Sequence, residues 1–196
     1  MKSLRFVLLF LTLFTTSVFA QSDMNHSTTK SGPSAAQQSF TTMKTFAGEW
    51  EGAVTLNPPM NGMGDANLHV TMRVTSRGNS IVHEMQESGT PLDATKYDHP
   101  VTMMYVENDR LILTHYCDAG NRPRMTGALS PDGKKVEFEF LDLSGGNQYG
   151  HMYHAVFTPI DANHHLEDWT FMMPGDKPMH AHFDLKRAGS TVVSAK

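Results

Sequence analysis

The sequence predicts an all-β fold: an antiparallel, up-and-down barrel of about ten strands, preceded by one short helix. Three observations predict it. From Gly48 onward apolar and polar residues alternate with period two, as strands with one buried and one wet face require. Turn-forming clusters such as Asn57-Pro58-Pro59, Arg77-Gly78-Asn79, Pro131-Asp132-Gly133 and Pro174-Gly175-Asp176 interrupt the alternation at short intervals. No helical period separates the strands, so chain neighbours pair antiparallel and the sheet closes as a barrel or stacks as a sandwich.

The elements follow in chain order. Lys2 and Arg5 precede an apolar block, Phe6 to Phe14, and Ser17-Val18-Phe19-Ala20 supplies small residues before a cut. This is the pattern of a secretory signal peptide, 1–20, cleaved after about Ala20. The block is short for a membrane span. The expectation is a secreted or periplasmic protein with no membrane span in its mature form. Residues 21–38 are rich in Ser, Thr, Asn and Gly and read as a disordered tether. Phe40, Met43, Phe46 and Ala47 recur at helical spacing and predict one amphipathic helix before Gly48. The barrel domain is expected over 39–188, with a flexible tail at 189–196. Its strands are expected near 48–57, 66–76, 79–88, 100–107, 110–117, 123–129, 134–142, 150–158, 164–172 and 178–187.

Composition narrows the function. A net charge of −4 and the lack of a basic run argue against a nucleic-acid partner. With Cys117 as the one cysteine, no internal disulfide is available, so burial and sheet pairing must supply stability. Fourteen methionines and eleven histidines stand out. Methionine fills cores, yet both residue types also ligate soft or borderline metals.

Parity favours the barrel over the sandwich. Trp50 shares a face with Val54 and Leu56 on the first strand; Arg187 shares one with Phe183 and Leu185 on the last. In a closed meander these strands are neighbours. The Arg187 guanidinium then lies over the Trp50 indole as a structural plug, a cation–π contact of ~1–2 kcal/mol. The alternative is a core tryptophan and a solvated terminal arginine.

The Gly48-Glu49-Trp50 opening with a closing Arg187 resembles the calycin group, which includes the lipocalins. The helix followed by Gly48-Glu49-Trp50-Glu51-Gly52 also resembles the nitrobindin-type haem barrels. The run His115-Tyr116-Cys117 with Gly120-Asn121-Arg122-Pro123-Arg124-Met125, and Gly150-His151-Met152 downstream, resembles an uncharacterised family of secreted bacterial proteins over roughly residues 40–187. These resemblances imply a calycin-like barrel and supply no activity.

The His115-to-Met125 run is the densest concentration of reactive groups in the chain. Leu111, Leu113, His115 and Cys117 share a face, which points His115 and Cys117 inward. A two- or four-residue loop would set Arg124 opposite His115 inside the cavity; a three-residue loop breaks that pairing. The functional reading is a pocket for a small, mostly apolar ligand whose polar or anionic group meets His115 and Arg124, with Cys117, His83, His151 and Trp169 as further lining residues. The structural reading is a hydrogen-bonded buried histidine and an arginine paired to a carboxylate. Cys117 reads more as a small filler than as a nucleophile, and Asn121 as a turn residue. His83, His115 and His151 form a candidate zinc triad, if all three face inward. Met179, His180 and His182 form a candidate copper site at the rim, against ordinary exposed histidines. No cofactor is assigned; haem, copper and zinc stay open. No nucleophile elbow, phosphate loop or metalloprotease helix is present. The expected function is binding of a small molecule; the alternatives are an enzyme using His115 or a histidine-bound metal, and a copper- or zinc-handling protein.

Overall fold

Ser34 starts the first element. Its hydroxyl accepts the Gln37 N–H (3.3 Å), and Gln37 Oε1 accepts the Ser34 N–H (3.1 Å). This reciprocal capping box satisfies two N-terminal donors and nucleates α1 (Ala35–Lys44). The computed structural model describes residues 32–59 and 66–189. The expected signal peptide, most of the tether and all but the first residue of the tail lie outside the described residues. The helix begins earlier than its apolar spacing indicates, so 35–38 belong to it and not to the tether. The capping box, not the apolar stripe, sets that start.

Ten strands follow: β1 (Gly48–Asn57), β2 (Asn67–Thr75), β3 (Ser80–Glu87), β4 (Val101–Glu107), β5 (Arg110–Tyr116), β6 (Arg122–Leu129), β7 (Val136–Ser144), β8 (His151–Asp161), β9 (His164–Met173) and β10 (Lys177–Arg187). Each pairs antiparallel with its chain neighbours, and β1 pairs β10, so the sheet is a closed barrel with no edge. Closure is tight where β1 meets β10. A Cβ at Gly52 would run into the carbonyl oxygen of Asp184, so only glycine lets the two backbones approach this closely.

One end of the barrel is sealed. Helix α1 packs there, contributing Phe40 and Met43 to the core with Phe46 just beyond it. Ser39 ties the helix to the sheet: its hydroxyl donates to Ala35 O (2.8 Å) and accepts the Leu129 N–H (2.9 Å). Trp50 and Arg187 are register partners, and the guanidinium carbon sits 4.1 Å from the centroid of the indole ring. Trp50 Nε1 donates to Phe46 O (2.8 Å), while Arg187 donates to Ala47 O and Ala162 O. Above this floor Leu111, Leu113, Met104, Phe138 and Phe157 are fully buried and fill the interior. Toward the opposite end, the mouth, the interior opens into a cavity lined by Trp169, Phe171 and Phe183, while a separate hollow lies at the floor beside Phe46, Trp50 and Arg187.

Candidate functional site

Strand β9 builds the polar spine of the interior. Its alternation turns His165, Glu167 and Trp169 inward, all three buried, while Asp168 points out. Glu167 is fully buried and accepts from three donors: His165 Nε2 (3.0 Å), Trp169 Nε1 (2.9 Å), and His83 Nε2, which lies 3.1 and 3.2 Å from its two oxygens. Burial alone would raise this carboxyl. Its proximity to His83 and the hydrogen bonds from His165 and His83 outweigh that and hold it below the ordinary carboxylate range. An ionised carboxylate only accepts, so both imidazoles carry a proton on Nε2. Their Nδ1 atoms are buried with no partner among the described residues.

His115 stands above this cluster, one step toward the mouth. It is register partner to Thr102 across β4 and β5, and Thr102 Oγ1 lies 2.8 Å from its Nδ1. That hydrogen bond fixes the ring and leaves Nε2 for the adjoining cavity. Burial, with His83 adding to it, pushes His115 down to about 3, so the imidazole is neutral at physiological pH.

The cavity has a volume of about 240 Å³. Trp169, Phe171 and Phe183 give it aromatic walls, and Met85, Met152 and Met179 give it thioethers. Ala181 leaves the room between them. His115 is its one imidazole; Asp98, Cys117 and Asp118 border it at the mouth. Partial burial and the neighbouring Asp118 push the Asp98 carboxyl up. Burial, with Asp98 and Asp118 behind it, pushes the Cys117 thiol up as well, which keeps it protonated and weakly nucleophilic.

The residues singled out from sequence therefore separate. His115, Cys117 and Trp169 line the cavity. His83 lies deeper, on Glu167. Arg124 does not reach the cavity. The register sets Thr114 opposite Arg124, as an odd-numbered loop requires, and Arg124 turns outward into a two-point ion pair with Asp142 (2.9 and 2.6 Å), with Glu107 at 3.7 Å. The expected His115/Arg124 pair is thus corrected in favour of a surface ion pair. Asn121 is buried as a strut: its Nδ2 donates to Gly146 O (2.9 Å) and Gly150 O (2.7 Å), tying the β5–β6 turn to the β7–β8 loop.

His151 also departs from its expected inward position. A bulge at Tyr153 shifts the β8 register, so Met152 faces the cavity and His151 takes the other face. Its ring packs on Phe140, and its Nδ1 lies 2.9 Å from Asn147 Oδ1. The zinc triad of His83, His115 and His151 does not assemble. Among the described residues, the sets of three His, Cys, Asp or Glu side chains whose ligand atoms all lie close enough to share one ion are Asp98/Cys117/Asp118 and Glu137/Glu139/His154. The rim copper site is corrected too: Met179 lines the cavity, whereas His180 and His182 lie on the outer face, beside Thr170 (3.1 Å) and Asp168 (2.7 Å) respectively. Glu167 and His165 were missed from sequence, although the alternation that turns Trp169 inward implies both.

The haem implied by the nitrobindin resemblance does not fit these residues. His115 offers an imidazole, but a cavity of about 240 Å³ has room for a small molecule and not for a macrocycle the size of haem.

No protein-family model and no curated protein matches the chain. Among solved structures it is similar to the crystal structure of Rv2717c from M. tuberculosis, at a TM-score of 0.53 and 13% identity over 76% of this chain and 96% of that one. At that identity the likeness shows a shared barrel fold and nothing of the site.

Proposed function

We propose that this is a binding protein whose upper cavity takes a small, mostly apolar molecule, with one uncharged polar group directed at His115. One observation carries the reading: a neutral imidazole, oriented by Thr102, is the sole hydrogen-bonding group well inside an otherwise apolar cavity. With Arg124 held on the surface by Asp142, no arginine compensates an anion in the cavity, so an uncharged polar group suits the site better than a carboxylate or phosphate. The fully buried Met104, Leu111, Leu113, Phe138 and Phe157 fill the middle of the barrel, so a ligand in this cavity stays above Trp169.

The test uses N-phenyl-1-naphthylamine, a neutral apolar amine that fluoresces when desolvated, and the intrinsic tryptophan emission, to which Trp50 at the floor and Trp169 in the cavity wall contribute. The wild-type protein should bind the dye with a change in tryptophan emission. Ala181→Phe, which fills the cavity, should abolish both signals, and Arg124→Ala should leave them unchanged. Dye binding that survives Ala181→Phe would sink the proposal. The signal-peptide pattern extends the reading to a protein working outside the cytoplasm. The mass of the exported chain should correspond to a start at Gln21; recovery of the uncleaved chain in the cytoplasm would contradict that.

A further inference from the structure

We propose that the upper cavity is a cuprous-ion site, with His115 Nε2 and the thioether sulfurs of Met85, Met152 and Met179 as the donors. The inference rests on the cavity being a binding site and goes beyond it by naming a metal. Four strands supply the four side chains: β3 carries Met85, β5 His115, β8 Met152 and β10 Met179. All four line one cavity of about 240 Å³.

The donor chemistry selects the ion. Thioethers are soft ligands and bind cuprous copper in preference to hard divalent ions. Imidazole is compatible with copper, and the Thr102 hydroxyl on Nδ1 is the outer partner that commonly orients a metal-binding histidine. All four donors are uncharged, and the nearest buried carboxylate, Glu167, is already occupied by three donors. A monovalent ion therefore suits this interior better than a divalent one, whose burial without an anion costs far more. Trp169, Phe171 and Phe183 line the same space, and aromatic rings attract a desolvated cation over their faces. Asp98 and Asp118 border the mouth, where negative potential raises the local concentration of cations. Cys117 borders the cavity as a protonated thiol and is not needed in the set.

The experiment titrates the purified, intact protein anaerobically with the cuprous bicinchoninate complex. The wild-type chain should withdraw a single cuprous ion, and zinc should not compete. Copper-edge X-ray absorption should show sulfur together with nitrogen scatterers. His115→Ala and the triple variant Met85→Leu/Met152→Leu/Met179→Leu should lose the ion. Thr102→Val should weaken it about tenfold or more, the usual consequence of removing an outer partner. His180→Ala/His182→Ala and Cys117→Ser should bind as the wild type does. Retained dye binding in the leucine variant shows that its cavity still forms. A leucine variant that takes copper like the wild type overturns the proposal, as does a wild-type protein that refuses copper. If copper is refused while N-phenyl-1-naphthylamine binds, the metal assignment fails and the cavity reading stands; if both are refused, both fail.

Discussion

Glu167 is the residue on which the interior most depends. It is a buried anion satisfied by two imidazoles and an indole, and removing one partner of such a set costs more than the set contributes. Glu167→Ala should therefore lower unfolding stability by about 3–5 kcal/mol, since the uncompensated donors stay buried. Urea denaturation measures this, and a loss under 1 kcal/mol would show that the cluster is not what holds β9 to β3. Arg124 is the contrasting case. Its bond to Asp142 is short, but both side chains are more than a third exposed. Surface ion pairs contribute ~0–1 kcal/mol, so Arg124→Ala should shift the urea midpoint only slightly. His115 and Arg124 lie nine residues apart in one motif, yet one builds the cavity and the other the outer surface.

At the scale of elements, the β1–β10 seam decides whether the barrel closes. Its register runs from Trp50↔Arg187 to Asn57↔His180, and Gly52 sits within it against Leu185. Gly52→Ala must push Asp184 away, which should cost ~1–3 kcal/mol in the manner of an overpacked core. Faster amide exchange confined to β1 and β10 would locate the damage; uniform exchange would mean the seam is not the weak point. The floor gives a second check. Arg187→Ala removes the contact over Trp50 and should cost at least the ~0.5–2 kcal/mol of a cation–π pair, with its carbonyl hydrogen bonds adding to the loss.

At the scale of the molecule, His115 and Glu167 are the most deeply buried of the groups that shape the acid limb of stability, and burial holds His151 down in the same direction as His115. The folded pKa of His115 is about 3, below the ordinary histidine value. Its contribution is complete above about pH 6.5 and is lost as pH falls toward the folded value. Glu167 is likewise held down, so its contribution is complete above the ordinary glutamate value of about 4.3 and is lost below it. The urea midpoint of the metal-free protein should thus decline from roughly pH 6.5 and more steeply below about pH 4. His115→Gln should flatten the upper part of that decline and Glu167→Gln the lower. A wild-type midpoint constant between pH 7 and pH 4 would contradict the assignment of a buried neutral His115.

Much of this architecture was legible in the chain. Period-two alternation and turn chemistry are local, so they specify ten strands whose ends fall within a few residues of the observed ones. Parity is also local, and it places Trp50, Arg187, His83, His115 and Trp169 as the barrel has them. What parity does not carry is register across a turn or past a bulge. One residue in the β5–β6 loop sends Arg124 out to Asp142, and one bulge at Tyr153 exchanges His151 for Met152 at the cavity. Nor does any local pattern bring Met85, His115, Met152 and Met179, which are far apart in the chain, to one cavity. By itself the sequence determined a barrel and which residues face in; only closure of that barrel decided which of them meet, because meeting depends on pairings between distant strands that no single segment encodes.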